Sequence, residues 1–373
     1  MFERPKLSEK AIVISLDFGG FDIDDDIHEI TQLTISAGFK VAELITSKRS
    51  TPHTKYFIGS GKMQEILKMK DLLEAKTLIF NHEISPSQER NIEKITGMRV
   101  YDRTALILFI FSLRAKTYEG KLQVELAHLD HLSTRLVKGW SHLERQKGGI
   151  GVRGGPGEKQ IELDRRMLRI RIKQLKAKLS KLGKQRSMQR RARKRSKALS
   201  ISIIGYTNAG KSTLFNHLTH ESIYAEDKLF ATLDTTSRKL FIQPGHSVVI
   251  SDTVGFIKNL PTTLIEAFKS TLEEVTDSDL LLHVIDINNE NKSEQIEQVE
   301  KILEEINAHK LPQILILNQI DKINLKTSFE RNDYGKIIHI QLSAKTGDGI
   351  EFLKQAIVEH NQQQINLRNG NYA

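Results

Sequence analysis

Residues 198–219, ALSISIIGYTNAGKSTLFNHLT, decide how this chain folds. An apolar run from Leu199 to Ile204 leads into the spacing G-x-x-x-x-G-K-S, Gly205 to Ser212, and an amphipathic helical pattern follows. A strand, a glycine-bearing loop and a helix in that order make a phosphate-binding loop. The chemistry explains the residue types. Glycines let backbone N–H groups close around a β-phosphate, Lys211 reaches the β- and γ-oxygens, and Ser212 offers a hydroxyl to Mg²⁺. The N-terminus of the helix adds the positive end of its dipole. An earlier GSGK, Gly59 to Lys62, lacks this context, with Tyr56 where the first glycine would stand and Met63 in place of the hydroxyl residue.

The companions expected of such a loop follow in order. SVVISDTVGF is a β-type run ending in Asp252, an acidic side chain suited to holding Mg²⁺ through water, and in Gly255, whose N–H can sense a γ-phosphate. FATLDTT supplies candidate switch threonines at Thr232, Thr235 and Thr236. LPQILILNQID ends a buried strand with Asn318 and Asp321, and a carboxylate there can accept from guanine N1–H and its exocyclic amine. IIHIQLSAK ends another with Ser343, Ala344 and Lys345, whose backbone can donate to guanine O6. Short motifs in fixed order at strand ends predict a G domain over residues 198–373, a mostly parallel sheet binding nucleotide at its carboxyl edge. The nucleotide-binding set is Gly205, Tyr206, Thr207, Asn208, Ala209, Gly210, Lys211, Ser212 and Thr213; Phe230, Ala231, Thr232, Leu233 and Asp234; Asp252, Thr253, Val254 and Gly255; Asn318, Gln319, Ile320 and Asp321; and Ser343, Ala344 and Lys345. Lys211 and Gly255 are expected to act on the reacting phosphate together with one of the candidate switch threonines, and Ser212 and Asp252 to hold the metal with that threonine.

Upstream, residues 1–103 alternate apolar β-type runs (AIVISL, FKVAELI, KTLIF, MRVY) with helical patterns (DDIHEITQLTISAG, KMQEILKMKDLLEA, SPSQERNIEKITG). This predicts a small parallel α/β domain with right-handed crossovers. Its His28, His53 and His82 have no ligand spacing and are expected to be ordinary surface or core histidines. Residues 104–197 read as a helical hairpin. Thr104 to about Trp140 is helical, with Leu122, Leu126, Leu129 and Leu136 near heptad spacing, and Leu168, Ile172, Leu175, Leu179 and Leu182 form a second stripe. Each stripe either buries the other or faces a globular core. GGIGVRGGPG, residues 148–157, becomes the exposed tip, and Gly183 is expected to interrupt the second helix ahead of RRARKR.

Charge is distributed unevenly. Of the net +10, residues 1–198 hold 40 Lys and Arg against 23 Asp and Glu, and the remainder is acidic. Between Arg165 and Lys197 stand 16 basic side chains and no acidic one. Solvated helix faces normally mix signs, so this run reads as a polyanion-binding surface, with nucleic acid the expected partner; the plainer alternative is a solvated linker. With 373 residues, several domains are expected; 39% apolar content is that of an ordinary soluble protein, and the absence of cysteine excludes disulfides and thiolate metal sites. The N-terminal stretch lacks signal-peptide architecture, and the longest apolar run, Ala105 to Phe111, is too short to span a bilayer, so a cytoplasmic protein is expected.

GYTNAGKST, FATLD, DTVGF and SAK, preceded by an α/β domain and by GGIGVRGGPGEKQIELDRR, resemble the HflX-type GTPases of the translation-factor-related class. The resemblance covers nearly the whole chain, and the glycine-rich tip followed by E-x-Q-x-E-x-D-R-R is its specific part. It implies a monomeric cytoplasmic GTPase that uses GTP and Mg²⁺ and binds the large ribosomal subunit. The hairpin tip would reach ribosomal RNA near the peptidyl-transferase centre, and the protein would split or rescue stalled ribosomes. In the family pattern FATLD carries the switch threonine, which selects Thr232 over Thr235 and Thr236, to act on the reacting phosphate with Lys211 and Gly255 and to hold the metal with Ser212 and Asp252. The tail after the last G-domain helix is too short for the additional domain that some relatives carry.

Two positions depart from the wider GTPase pattern. Gln319 stands where N-K-x-D has lysine, which predicts weaker nucleotide binding, and Phe256 follows DTVG where many GTPases place a water-orienting glutamine. Slow intrinsic hydrolysis is expected, with the missing group or a potassium ion supplied on assembly, or by another residue of the chain. The two departures also sustain a different expectation, a non-hydrolysing nucleotide-bound RNA-binding or assembly scaffold. An ATP-dependent RNA remodeller is disfavoured by Asp321 and SAK.

Overall fold

The computed structural model describes residues 8–19, 23–146, 156–195, 199–219, 229–243, 246–258, 261, 264 and 269–368. The chain divides into two units, Met1–Leu179 and Ser180–Ala373.

In the first unit, β1 (Lys10–Asp17), β2 (Lys40–Lys48), β3 (Thr77–Phe80) and β4 (Arg99–Tyr101) form a four-stranded parallel sheet in the order β2-β1-β3-β4. Helices α1 (Ile23–Ser36), α2 (Ser60–Leu73) and α3 (Pro86–Thr96) alternate with the strands, as the hydrophobic periodicity predicts. Period-two alternation explains how β1 serves both faces. Ile12, Ile14 and Leu16 enter a core with Met63 and Ile66 of α2 and Ile92 of α3, whereas α1 packs on β1 and β2. Each such fully buried side chain stabilises by about 1.5–3 kcal/mol. Local signals set the helix ends. Ser85 and Gln88 form a reciprocal capping box at α3, with Pro86 in its first turn and Gly97 closing it at φ 65°. GSGK begins α2, with Gly59 as its N-cap.

The helical region departs from expectation in three ways. What reads as one helix from Thr104 is two, α4 (Arg103–Arg114), capped by the Asp102 carboxylate on the Ala105 N–H at 2.8 Å, and α5 (Tyr118–Gln146). The start of α5 is not a bare hairpin arm: it packs on α3 and α4, burying Leu122 and Leu126. Arg135 of α5 fastens it there, with its guanidinium 2.6 Å from Glu89 and 3.0 Å from Asp102. Third, α6 (Pro156–Arg195) runs through Gly183 without a break, at a cost of only about 1 kcal/mol relative to alanine. Its first turn also takes in Pro156 and Gly157 of the glycine-rich stretch, since proline at the first helical position loses no hydrogen bond. The rest of that tip, residues 148–155, lies outside the described residues. The stripe on α6 persists, with Leu175 fully buried and Leu168, Ile172, Leu179 and Leu182 less exposed than most positions between them. Arg171 of α6 pairs with Glu125 of α5 at 2.7 Å.

In the second unit, seven strands are ordered β10-β11-β9-β8-β5-β7-β6. They are β5 (Leu199–Gly205), β6 (Thr236–Gln243), β7 (His246–Asp252), β8 (Leu280–Asp286), β9 (Gln313–Asn318), β10 (Ser328–Arg331) and β11 (Ile337–Gln341). The two edge strands, β6 and β10, pair antiparallel and the rest are parallel. Helices α7 (Lys211–Thr219), α8 (Lys269–Thr276) and α9 (Lys292–Glu305) lie between strands in the chain, and α10 (Ile350–Arg368) follows β11. Ile201 and Ile203 of β5 share one core with Leu214 and Phe215 of α7 and Leu353 and Ile357 of α10. Strand β5 lies between β7 and β8, so the chain winds away from it in both directions and the loop after β5 sits at the topological switch point.

Candidate functional site

The site begins where β5 ends. Gly205 adopts φ 141°, and a side chain there would collide with the carbonyl of Val284 on β8; Gly210, at φ 92°, lies against the Asn318 amide. Both positions therefore require glycine. Gly205→Ala should destabilise the second unit by about 3 kcal/mol, from overpacking and a disfavoured φ together. Thermal denaturation checks this, and an unchanged midpoint would show that the loop tolerates a side chain.

The loop and its neighbours line a cleft open to solvent, of about 430 Å³ including its mouth, bordered by Thr207, Asn208, Gly210, Lys211, Ser212, Thr213, Phe230, Ala231, Thr232, Thr253 and Gly255. Lys211 is buried, and its ammonium donates to the Tyr206 carbonyl at 2.5 Å. Burial pulls its pKa down to about 8, with the Asp252 carboxylate opposing. Asp252 is itself fully buried at the end of β7, and burial pushes its pKa up while the Ser212 hydroxyl, Lys211 and the Thr232 hydroxyl hold it down.

Three oxygens meet beside Lys211. Ser212 Oγ lies 2.7 Å from Asp252 Oδ2 and 2.8 Å from Thr232 Oγ1, and Thr232 Oγ1 donates to Asp252 Oδ2 at 2.9 Å. Adjacent ligands of octahedral Mg²⁺, each at 2.0–2.1 Å, stand about 2.9 Å apart. Asp252 Oδ1 and Thr207 Oγ1 are buried with no hydrogen-bond partner among the described residues. Hard oxygen donors at this spacing, with a buried carboxylate oxygen unspent, fit Mg²⁺ better than a softer ion. Among the hydrogen bonds of the described residues, Thr232 is the candidate threonine whose hydroxyl joins this cluster, while Thr236 opens β6 opposite Asp252. Phe230, at φ 55°, is buried, as is Leu233, and these two hold FATLD in place while Ala231 faces the cleft and Asp234 is half-buried.

A second cluster sits at the ends of β9 and β11. Asn318 is buried and joins three segments. Its Nδ2 donates to the Ala209 carbonyl at 2.8 Å, and its Oδ1 accepts from the Ala344 N–H at 2.8 Å. Asp321 accepts from the Ser343 hydroxyl at 2.7 Å, while Ile320 is buried in the core and Lys345 is exposed. Gln319 adopts φ 68° and its amide nitrogen donates to the Asn208 carbonyl at 3.2 Å, so a neutral side chain reaches the phosphate loop where a lysine is usual.

Thr253 Oγ1 donates to the Ile203 carbonyl at 2.6 Å and fixes the end of β7 to β5, with Val254 buried beyond it. Two contributors escape sequence reading. Asn288, after β8, donates to the Gln319 carbonyl at 3.1 Å; the polar run NNE after VIDI is the signal that marks this turn. His283 on β8 is 1% exposed, and burial, aided by nearby Lys211, lowers its pKa to about 4, leaving a neutral ring in the sheet. No group of metal-ligating side chains stands apart from this site among the described residues.

Comparison with known proteins agrees with this geometry. Family models described as GTP-binding GTPase N-terminal, GTP-binding GTPase Middle Region and 50S ribosome-binding GTPase match residues 24–112, 114–193 and 200–319. The GTPase HflX of Escherichia coli (strain K12) is 48% identical over 96% of this chain and 84% of its own length. The GTPase HflX of Caldanaerobacter subterraneus subsp. tengcongensis is 43% identical over 96% and 82%. Among solved structures, a GTP-binding protein from Sulfolobus solfataricus in complex with GDP is 25% identical, with a TM-score of 0.50 over 95% of this chain and 99% of that one. A phosphate loop at the switch point, an oxygen cluster suited to Mg²⁺ and relatives this close over nearly the whole length lead to one conclusion: the chain belongs to the HflX family of GTPases.

Proposed function

We propose that this protein is a GTP-hydrolysing switch of the cytoplasm that acts as a monomer on the large ribosomal subunit, engages ribosomal RNA through α6, and splits or rescues stalled ribosomes. The observation that carries the hydrolytic half is the cluster of Ser212, Thr232 and Asp252 beside the buried Lys211. The ribosomal half is supported by the stretch Arg165 to Lys197, with 16 basic side chains and no acidic one, and by the match to a 50S ribosome-binding family model.

The residues divide the work. Asp321 and the backbone of Ser343 to Lys345 read guanine, and Asn318 ties that reading to the phosphate loop. Lys211 neutralises the β- and γ-oxygens, and the Gly255 N–H meets the γ-phosphate. Ser212, Thr232 and Asp252 hold Mg²⁺, which when bound stabilises negative charge on the phosphates. GTP thereby orders the segments around Thr232 and Gly255 and favours the ribosome-bound state, and hydrolysis releases them.

Orientation of the attacking water is the missing function. Phe256 is 1% exposed and carries no hydrogen-bonding side chain, so a group or a potassium ion supplied in the assembled complex completes the site. Single-turnover GTP hydrolysis with and without purified large subunits, in potassium and in sodium buffers, tests this. Stimulation of about 10³-fold or more is expected, the scale of catalytic groups supplied in trans. Subunit binding without stimulation would favour the scaffold alternative.

A further inference from the structure

We infer that Tyr206 is a positioning residue for hydrolysis: its hydroxyl sets the register of residues 255–258 against the phosphate loop, presenting Gly255 to the terminal phosphate and keeping Phe256 out of the cleft. This rests on the GTPase reading above and adds a residue that the phosphate-loop motif leaves unspecified.

Tyr206 follows the first glycine of the loop and is 8% exposed. Phosphate chemistry asks only for its backbone, yet its hydroxyl accepts from the Lys258 N–H at 2.6 Å. Between these two residues the chains pair as a short parallel bridge, Tyr206 with Phe256. The Thr207 N–H donates to the Phe256 carbonyl at 2.8 Å, and the Phe256 N–H donates to the Gly205 carbonyl at 3.2 Å. Lys258 is held from its other end, its ammonium 3.0 Å from Glu294 in the first turn of α9. The segment after Asp252 is thus laid along the phosphate loop by three hydrogen bonds, two of which any sequence could make. The third belongs to the tyrosine.

The consequence falls on Gly255. A methyl group there would stand 2.6 Å from Thr207 Cγ2 and 3.0 Å from Lys211 Nζ, so this backbone already lies against the ammonium that meets the β- and γ-oxygens. A diphosphate offers Gly255 nothing to bind. The hydroxyl should therefore matter for GTP and for the hydrolytic step, and not for GDP, because only the triphosphate uses the segment that it registers.

Tyr206→Phe removes the hydroxyl and keeps the buried ring. Titration with GDP and with a non-hydrolysable GTP analogue, together with single-turnover hydrolysis, separates the alternatives. The expected result is an unchanged GDP affinity, a preference for the GTP analogue over GDP reduced by about tenfold, and a hydrolysis rate reduced by about tenfold, the scale of one buried donor left without its acceptor. Glu294→Gln, which loosens Lys258 from outside the cleft, should move the same ratio in the same direction by less. Equal weakening of both nucleotides would assign Tyr206 to the support of the loop itself, and an unchanged ratio and rate would show that the hydroxyl is dispensable; either overturns the proposal. Wild-type protein that binds neither nucleotide would refute the GTPase reading instead.

Discussion

Lys211→Ala is expected to lower the single-turnover rate of GTP hydrolysis by about 10²–10³-fold, the loss typical when one preorganised electrostatic group is removed from a transition state. Lys211 opens α7, its ammonium is buried and aimed back at the Tyr206 carbonyl, and among the described residues no other lysine or arginine lines the cleft. The pH dependence supplies an independent check. With its pKa lowered to about 8, the lysine is largely charged at neutral pH and loses its proton as pH rises through that value. Phosphates bind the charged form, so nucleotide affinity should fall above pH 8, and binding measured there should take up a proton. The alanine variant should show neither effect. Hydrolysis by that variant at the wild-type rate would remove Lys211 from the reaction.

Replacing Arg190, Arg191 and Arg193 together by alanine should weaken binding to large ribosomal subunits and flatten its salt dependence. Each lysine or arginine that neutralises a phosphate contributes about 0.9 to the slope of log affinity against log salt, so loss of three contacts should reduce the slope by about 3. The backbone of these residues belongs to α6, so the basic run from Arg165 to Arg195 forms one continuous helix about 45 Å long at 1.5 Å per residue. A helical backbone spaces its residues regularly, which suits a regularly spaced polyanion better than a solvated linker would. Binding measured between low and physiological salt decides the matter, and an identical slope in the variant would take this segment out of the interface.

Much of the fold was legible because its signals are local. The four strands and three helices of the first sheet domain follow from period-two and period-3.6 patterns, with Ser85, Pro86 and Gly97 marking ends as capping chemistry requires. The phosphate loop was legible for a stricter reason: phosphate binding demands glycine, lysine and a hydroxyl at set spacing, which propensity alone would not produce. Local signals misled elsewhere. Gly183 reads as a break, but one glycine costs a helix only about 1 kcal/mol, and good helix formers on both sides (Lys181 and Leu182, Lys184 to Arg186) carry α6 through it. The long helix expected from Thr104 breaks after Arg114, and the new helix then docks on α3 and α4 through Arg135, whose partners lie far back in the chain. Edge strand β6, with the mixed run TSRKLFIQ, has one open side and so gives little hydrophobic signal.

The site divides along the same line. By itself the sequence determined which groups bind phosphate, magnesium and guanine, and that a glutamine and a phenylalanine replace the usual lysine and glutamine, because those are matters of residue type at fixed spacing. Only the tertiary structure decided that Asn318 ties Ala209 to Ala344, that Gln319 still reaches the Asn208 carbonyl, and that the Tyr206 hydroxyl holds the Lys258 amide. These contacts join residues 26 to 111 positions apart. Their geometry is set by the order and register of strands around β5, and no local pattern in the chain encodes it.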